Sequence, residues 1–330
     1  MKVLFATYPM AFHTPGGGEI QLLAYAKHLP QHGVEVSLFD PWKPHFLDHD
    51  VVHFFSCVGG SSHFCAFIKS LGLPLVVSSS LWITEETRHL YPVDEIRAQL
   101  GLADRVVTNS EIECDSLARV LNLPREKFVT VYNGVDDVFF DRLDPELFRQ
   151  HIGTNTPFVL NVGNIEPRKN QLRLAQAMKS HPDQKLLLVG HVRDENYFQE
   201  VMQEAGSQAA YIGPLPHDSE LLRSAYQACS LFCLPSTLET PGLAALEAAA
   251  QGVPLLVTSE GSTREYFGDC AAYVDPNDSN DIAQHIAQAL LKTRAGSHRE
   301  RQRAASAVGR EYSWATTTVR LPQIYNTLVK

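Results

Sequence analysis

The chain has 330 residues, 44% of them hydrophobic and 20% charged, enough for two domains of roughly 150 residues that each bury a core. A net charge of −9 and a pI near 5.9, with no basic stripe, argue against a general nucleic-acid binder. The opening MKVLFATYPMAF has no cleavage-site pattern and too few apolar residues to span a bilayer, so a cytoplasmic protein is expected, with at most peripheral membrane association.

Lys2 to Tyr8 reads as a strand, followed by a loop ending in Gly16-Gly17-Gly18-Glu19 and a helix from about Ile20 to Gln31. Gln21 stands where a third glycine would complete G-x-G-x-x-G, so a dinucleotide fingerprint is absent, and the glycines can equally serve a flexible turn. Val34 to Phe39, Asp50 to Phe55 and Pro74 to Ser79 are further strands, most of them separated by helices, which predicts a doubly wound parallel α/β sheet. The triplet Asp48-His49-Asp50 precedes a strand, at the wrong end for a ligand site, and no metal is expected there. His53, within a strand, reads as a core histidine.

Ala103 to Ser110 is a strand and its end, Glu111 to Leu121 a helix, and Phe128 to Tyr132 the last strand before a polar stretch, Asp141 to Thr156, read as a short helix and linker. Pro157 to Val162 opens a second set of strands that continues at Lys185 to Gly190, Leu231 to Leu234, Val253 to Thr258 and Ala272 to Val274. An amphipathic helix from Asp281 to Thr293, a charged one from Arg299 to Arg310 and a last one reaching Leu328 close the chain. Six cysteines sit mostly inside apolar segments and are expected to be free thiols.

The most informative stretch is Leu231 to Gly252, a buried strand leading into a helix. Thr240 is a plausible N-cap and Pro241 a first helical residue, with alanines following to Gly252. The amides of Gly242, Leu243 and Ala244 at that helix start suit a phosphate or diphosphate. Glu239 before the helix and Glu247 within it repel a bare phosphate and so suit hydroxyl groups, as the sugar and ribose of a nucleotide sugar supply. An ordinary alanine-rich core helix explains the spacing equally well.

Glu239-Thr-Pro-Gly-Leu-Ala-Ala-Leu-Glu247 resembles the E-x7-E signature of retaining glycosyltransferases of family 4, and other matching segments follow in order along nearly the whole chain. The resemblance implies the GT-B fold, two Rossmann-like doubly wound domains facing across a cleft. Residues 1–150 would form the acceptor domain and 151–311 the donor domain, with 312–330 a terminal helix returning to the first. It implies that Gly17, Gly18 and Glu19 approach the donor phosphates and acceptor. Gly163-Asn164-Ile165-Glu166-Pro167-Arg168-Lys169 matches the family's diphosphate loop, with Lys169 on the family lysine and Asn164 where an arginine is usual, so that Arg168 supplies the second charge or none does. Gly190 follows the next strand, and Tyr211 to Leu215 matches the segment bordering the nucleobase. Ser80 stands where the family usually carries a histidine near the transferred sugar.

By the same resemblance, Lys169, Arg168 and the helix start from Thr240 and Pro241 to Ala244 stabilise the departing diphosphate, Glu247 holds the ribose and Glu239 the sugar. The implied reaction is metal-independent transfer, with retention, from a UDP- or GDP-linked sugar to a glycan, lipid-linked or small-molecule acceptor, without a cofactor. Two alternatives stay open: a catalytically degenerate module that binds nucleotide sugar or glycan, and a nucleotide-sugar epimerase. Acceptor contacts are expected in loops such as 13–18 and 82–89.

Overall fold

A computed structural model describes residues 1–13, 15–57, 60–294 and 298–329, without the side chains of 292–304. Thr14, in the loop 13–18, lies outside the described residues, as do the side chains of residues 299–304 in the charged helix expected at 299–310. The chain divides into two compact units, Met1–Gly134 with Trp314–Lys330, and Val135–Ser313.

The first unit holds six parallel strands, β1 (Lys2–Thr7), β2 (Glu35–Leu38), β3 (Val51–Phe55), β4 (Leu75–Ser78), β5 (Arg105–Thr108) and β6 (Phe128–Thr130), in the order β2-β1-β3-β4-β5-β6. β3 and β4 are buried along their whole length, which is why they read as nearly continuous apolar runs, interrupted only by His53 and Ser78, rather than as alternating ones. The strand order reverses between β1 and β3, and the helix Gly17–His28 starts from the loop after β1. That helix begins three residues earlier than the glycines suggested. Gly16 takes an extended N-cap conformation, and the Glu19 carboxylate accepts its N–H at 2.7 Å, so the glycines enter the helix rather than precede it.

The second unit has the six parallel strands β7 (Phe158–Val162), β8 (Lys185–Val189), β9 (Ala209–Gly213), β10 (Leu231–Leu234), β11 (Leu255–Thr258) and β12 (Ala271–Val274), ordered β12-β11-β10-β7-β8-β9. Its reversal falls between β7 and β10, so the loops after those two strands border the crevice where open parallel sheets take ligands.

Residues 135–150, given to the first domain from sequence, pack with the second unit. The short helix expected in this stretch is Glu146–Ile152, and it is docked rather than part of a free linker: Phe148 is fully buried, its N–H donates to Ser224 Oγ at 3.0 Å, and that hydroxyl donates to the Asp144 carbonyl at 2.7 Å. A linker reading fails because one buried phenylalanine and two hydrogen bonds outweigh a polar composition. The last helix is divided into Trp314–Thr317 and Arg320–Asn326, and its Trp314, Leu321 and Tyr325 are buried in the first unit.

Candidate active site

Three glycines shape the ends of β7, β8 and β9. A Cβ on Gly190 would lie 2.1 Å from the Gly163 carbonyl oxygen, so only glycine lets these two chain segments approach. Gly163 N–H donates to Val189 O at 2.9 Å and Gly190 N–H to Gly213 O at 3.1 Å, tying the three strand ends together. The Lys169 stem passes over Gly163, its Cε 3.5 Å from where a Cβ would stand.

From there Lys169 Nζ reaches Glu239 Oε1 at 2.5 Å. The same oxygen accepts Ser236 Oγ at 2.6 Å and lies 3.6 Å from Arg168 Nη1. The Glu239 side chain is 5% exposed and that of Lys169 13%, whereas Arg168 is half-exposed and also pairs with Glu166 at 3.0 Å. Burial opposes the charge of Glu239, but Lys169, Arg168 and the two hydrogen bonds outweigh it and hold the carboxyl below its usual range. Burial lowers Lys169 from the ordinary lysine value, against the pull of Glu239.

The backbone of Glu239 is fixed from a third loop. Ser262 N–H donates to Glu239 O at 2.9 Å, and a Cβ on Gly261 would stand 2.1 Å from that oxygen. Asn170 joins the loops after β7 and β10 through Nδ2, which donates to Pro235 O at 2.9 Å and Pro276 O at 2.7 Å.

The helix after β10 spans Leu243–Ala250, so Thr240 and Pro241 are not its N-cap and first residue. Gly242 takes φ +84°, outside helical geometry, and becomes the N-cap, leaving Thr240 and the cis-linked Pro241 in the turn before it. The first bonds back to Gly242 O come from Ala245 at 3.0 Å and Leu246 at 3.3 Å, which places the amides of Leu243 and Ala244 at the open start of the helix. A side chain at Gly242 would meet Leu234 Cδ2 at 2.8 Å and Glu239 Oε2 at 3.1 Å, so the glycine leaves room for the Glu239 carboxylate.

Glu247 belongs to a second buried cluster. Tyr226 OH donates to its Oε2 at 2.6 Å, and His217 Nδ1 lies 3.3 Å from Oε1. The other nitrogen of His217 lies 3.3 Å from Asp136 Oδ2. Burial raises the Glu247 carboxyl, and His217 and Tyr226 offset only part of that. Burial alone would lower His217, but Glu247 and Asp136, helped by Asp218, bring it up to about 9.

Asn164 does not leave a gap where an arginine was expected: with its amide assigned so that the oxygen faces the guanidinium, that oxygen accepts Arg193 Nε at 2.9 Å and Nη2 at 3.1 Å. Arg193, from the loop after β8, also faces Glu166 at 3.4 Å, so Glu166 has two guanidinium groups beside it, Arg168 and Arg193. Leu215 lies two residues past the end of β9, partly exposed.

In the first unit, Gln21 is a fully buried hub rather than a missing glycine. Its Nε2 donates to Asn109 Oδ1 and Asn133 Oδ1, both at 2.7 Å, while its Oε1 accepts Ser80 Oγ at 3.2 Å. Ser80 has φ +42°, and its neighbours Ser79 Oγ and Leu81 N–H donate to the buried Glu113 carboxylate at 3.0 and 3.3 Å. Gly17 and Gly18 open the helix, and a Cβ on Gly18 would meet nothing within 4 Å. His53 is a core histidine, its ring bonded to Tyr325 OH at 2.7 Å and Ser78 Oγ at 2.9 Å. Among the described residues no group of three or more His, Cys, Asp or Glu side chains could hold a metal, and no helix is long and apolar enough to cross a membrane.

Of the residues that sequence reasoning singled out, the second unit brings Lys169 and Glu239 together with the half-exposed Arg168 beside them and buries Glu247 in a separate cluster, whereas nothing in the sequence pointed to Asn170, Arg193, His217 or Tyr226 as their neighbours. Asp136, in the Asn133-Gly134-Val135-Asp136 turn, carried a signal. His217 and Tyr226 sit 30 and 21 residues before Glu247, with no periodicity to point at them.

Two six-stranded parallel α/β units, the second with a cationic loop and a helix start at its switch point, define a protein of the GT-B type. The chain belongs to the glycosyl transferases group 1 family, whose model matches residues 144–308, and a second model, Glycosyltransferase Family 4, matches residues 42–139. It is 28% identical over 250 residues to O-antigen chain mannosyltransferase B of Escherichia coli, a match covering 72% of this chain and 64% of that protein. It is 29% identical over 233 residues to the D-inositol 3-phosphate glycosyltransferase of Mycolicibacterium smegmatis, covering 68% and 53%. The chain therefore spans between half and two thirds of the length of these relatives. Sucrose-phosphate synthase from Thermosynechococcus elongatus has the same fold, with a TM-score of 0.85 at 18% identity over 99% of both chains. Anabaena HepE in complex with UDP matches with a TM-score of 0.79 at 19% identity, over 99% of this chain and 100% of that one.

Proposed function

We propose that this chain moves a sugar from a UDP- or GDP-linked donor to a hydroxyl of a glycan, lipid-linked or small-molecule acceptor, with retention of anomeric configuration. The observation that carries the reading is the buried Lys169–Glu239 pair, flanked by Arg168, beside the helix start at Gly242 to Ala244 on the switch point of the second sheet. Departure of a nucleoside diphosphate builds negative charge, and Lys169, Arg168 and the amides of Leu243 and Ala244 answer it without a metal.

Lys169 and Ser236 engage Oε1 of Glu239, leaving Oε2, over Gly242, to a sugar hydroxyl. Glu247 takes the ribose hydroxyls. Gly163 and Gly190 let the donor approach backbone, and Leu215 borders the base. In the first unit, Gly17 and Gly18 serve the donor phosphates, and Glu19 and Ser80 the sugar and acceptor. That HepE has been captured with UDP and with UDP-glucose makes UDP the first nucleotide to test. The six unpaired cysteines support a reducing compartment, as the cytoplasm is.

The test is calorimetric titration of UDP and GDP in excess chelator, followed by incubation of the matching nucleotide sugars with and without a panel of acceptors. Metal-free nucleotide binding, nucleoside diphosphate released only with acceptor, and a product anomer matching the donor by NMR support the reading. A sugar altered without acceptor makes the chain an epimerase, and saturable binding with neither outcome makes it a binding module.

A further inference from the structure

The cluster around Glu247 holds more than the carboxylate that the proposed function uses. Tyr226, on the helix Glu220–Ala228, and His217, in the loop before it, each hold one oxygen of Glu247, at 2.6 and 3.3 Å. His217 is held on its far side by Asp136, 3.3 Å from Nε2, and the Phe139 ring lies 5.4 Å from the imidazole, centroid to centroid. Glu247 is thus held at both oxygens, and its carboxylate has one orientation to offer.

We propose that His217, protonated between Asp136 and Glu247, is a positioning residue for the nucleoside: it aims the Glu247 carboxylate at the ribose hydroxyls and makes recognition of the ribose depend on its own charge. The proposal rests on the reading that Glu247 meets the ribose, and it adds the group that fixes how.

Asp136, Glu247 and Asp218 are the charged groups acting on His217, and the Tyr226 phenol is the remaining titratable group in the cluster. When the imidazolium loses its proton it can donate to only one of its two carboxylates. Asp136 and Glu247 then face each other with no cation between them, and Glu247 turns away or takes up a proton. Ribose recognition therefore holds at neutral pH and fails as the pH rises through about 9, where His217 titrates. A His217 that serves only to hold the fold would instead weaken every ligand equally.

The test compares UDP and GDP with their 2′,3′-dideoxy analogues and with inorganic pyrophosphate, by calorimetry from pH 6.5 to 10, on the whole chain and on His217→Gln, His217→Ala and Glu247→Gln. Circular dichroism melts confirm that each variant is folded, and the milder His217→Gln serves if His217→Ala is not. The expected result is that both His217 variants lose about tenfold in affinity for the ribonucleotide, the size of one charge-assisted hydrogen bond, and nothing for the dideoxy analogue or pyrophosphate. The unaltered chain should lose its preference for ribose over dideoxyribose above about pH 9, and His217→Gln should show no such dependence.

Equal losses for all three ligands, or an unchanged preference in His217→Gln, overturn the positioning role while leaving the ribose role of Glu247 intact. An unchanged preference in Glu247→Gln, or no nucleotide binding at all, overturns the underlying reading and the proposal with it.

Discussion

His53 and His217 show how two histidines of one chain come to opposite behaviour. The His53 ring bonds the Tyr325 and Ser78 hydroxyls and stacks on Phe55, and burial lowers its pKa to about 3. In the unfolded chain it titrates near 6.5, so its contribution to stability is present above that value and drains away as the pH falls toward 3. Urea unfolding of the first unit should therefore lose up to about 1.4 kcal/mol per pH unit across that window. A flat profile there would mean that His53 is solvated. Lys169 is the residue to change for chemistry. Lys169→Met keeps the stem over Gly163 and removes the charge beside Glu239, so kcat should fall by about 10²- to 10³-fold while nucleotide affinity changes far less. Single-turnover kinetics beside calorimetry check it, and equal losses in both would assign Lys169 to ground-state binding. Glu239 and Lys169 were each legible in advance, because both lie in motifs with fixed spacing, but their pairing was not. The clamp on Glu247 was not, because His217 and Tyr226 are ordinary residues of a loop and a helix until the fold brings them together.

Elements supply the constraints that residues alone do not. The helix Leu243–Ala250 carries Glu247 and is fully buried from Ala245 to Ala250, and the helix His298–Glu311 lies against it. A Cβ on Gly309 would stand 2.7 Å from Ala250 Cα, a backbone atom that cannot swing aside. Gly309→Leu should therefore push the two helices apart, destabilise the second unit by about 1–3 kcal/mol and weaken nucleotide binding through Glu247. Thermal melts and titrations on one preparation check this, and an unaltered melting temperature would show that the helices have room to part. Strand positions were largely legible, since parallel strands buried on both faces leave apolar runs such as Val51–Phe55 and Leu231–Leu234. Helix starts were less so. Both the Gly17 and Leu243 starts differ from expectation because a glycine's φ, extended at Gly16 and +84° at Gly242, decides where the helix begins. Composition does not encode that choice.

At the scale of the whole molecule, the chain passes from the first unit to the second after Gly134 and returns at Trp314. Trp314 is 1% exposed, edge-on to Tyr25 with ring centroids 5.7 Å apart, and its backbone N would lie 2.6 Å from a Cβ on Gly134. Trp314→Ala should destabilise the first unit by about 3–5 kcal/mol. The residues proposed for phosphate and ribose all lie between Val135 and Ser313 apart from Gly17 and Gly18, so nucleotide affinity should survive wherever both units remain folded. Unfolding followed by NMR signals of each unit, beside a nucleotide titration, separates the two effects. What the sequence by itself determined is the alternation of strand and helix, the family motif from Glu239 to Glu247 and the cationic loop at Lys169, because these are local patterns of hydrophobicity, turn residues and charge. Only the tertiary structure decided that residues 135–150 pack with the second unit, that Gln21 is a buried hub and that Glu247 is held by His217 and Tyr226. Those facts depend on burial and on contacts between residues far apart in the chain, and no local pattern records them.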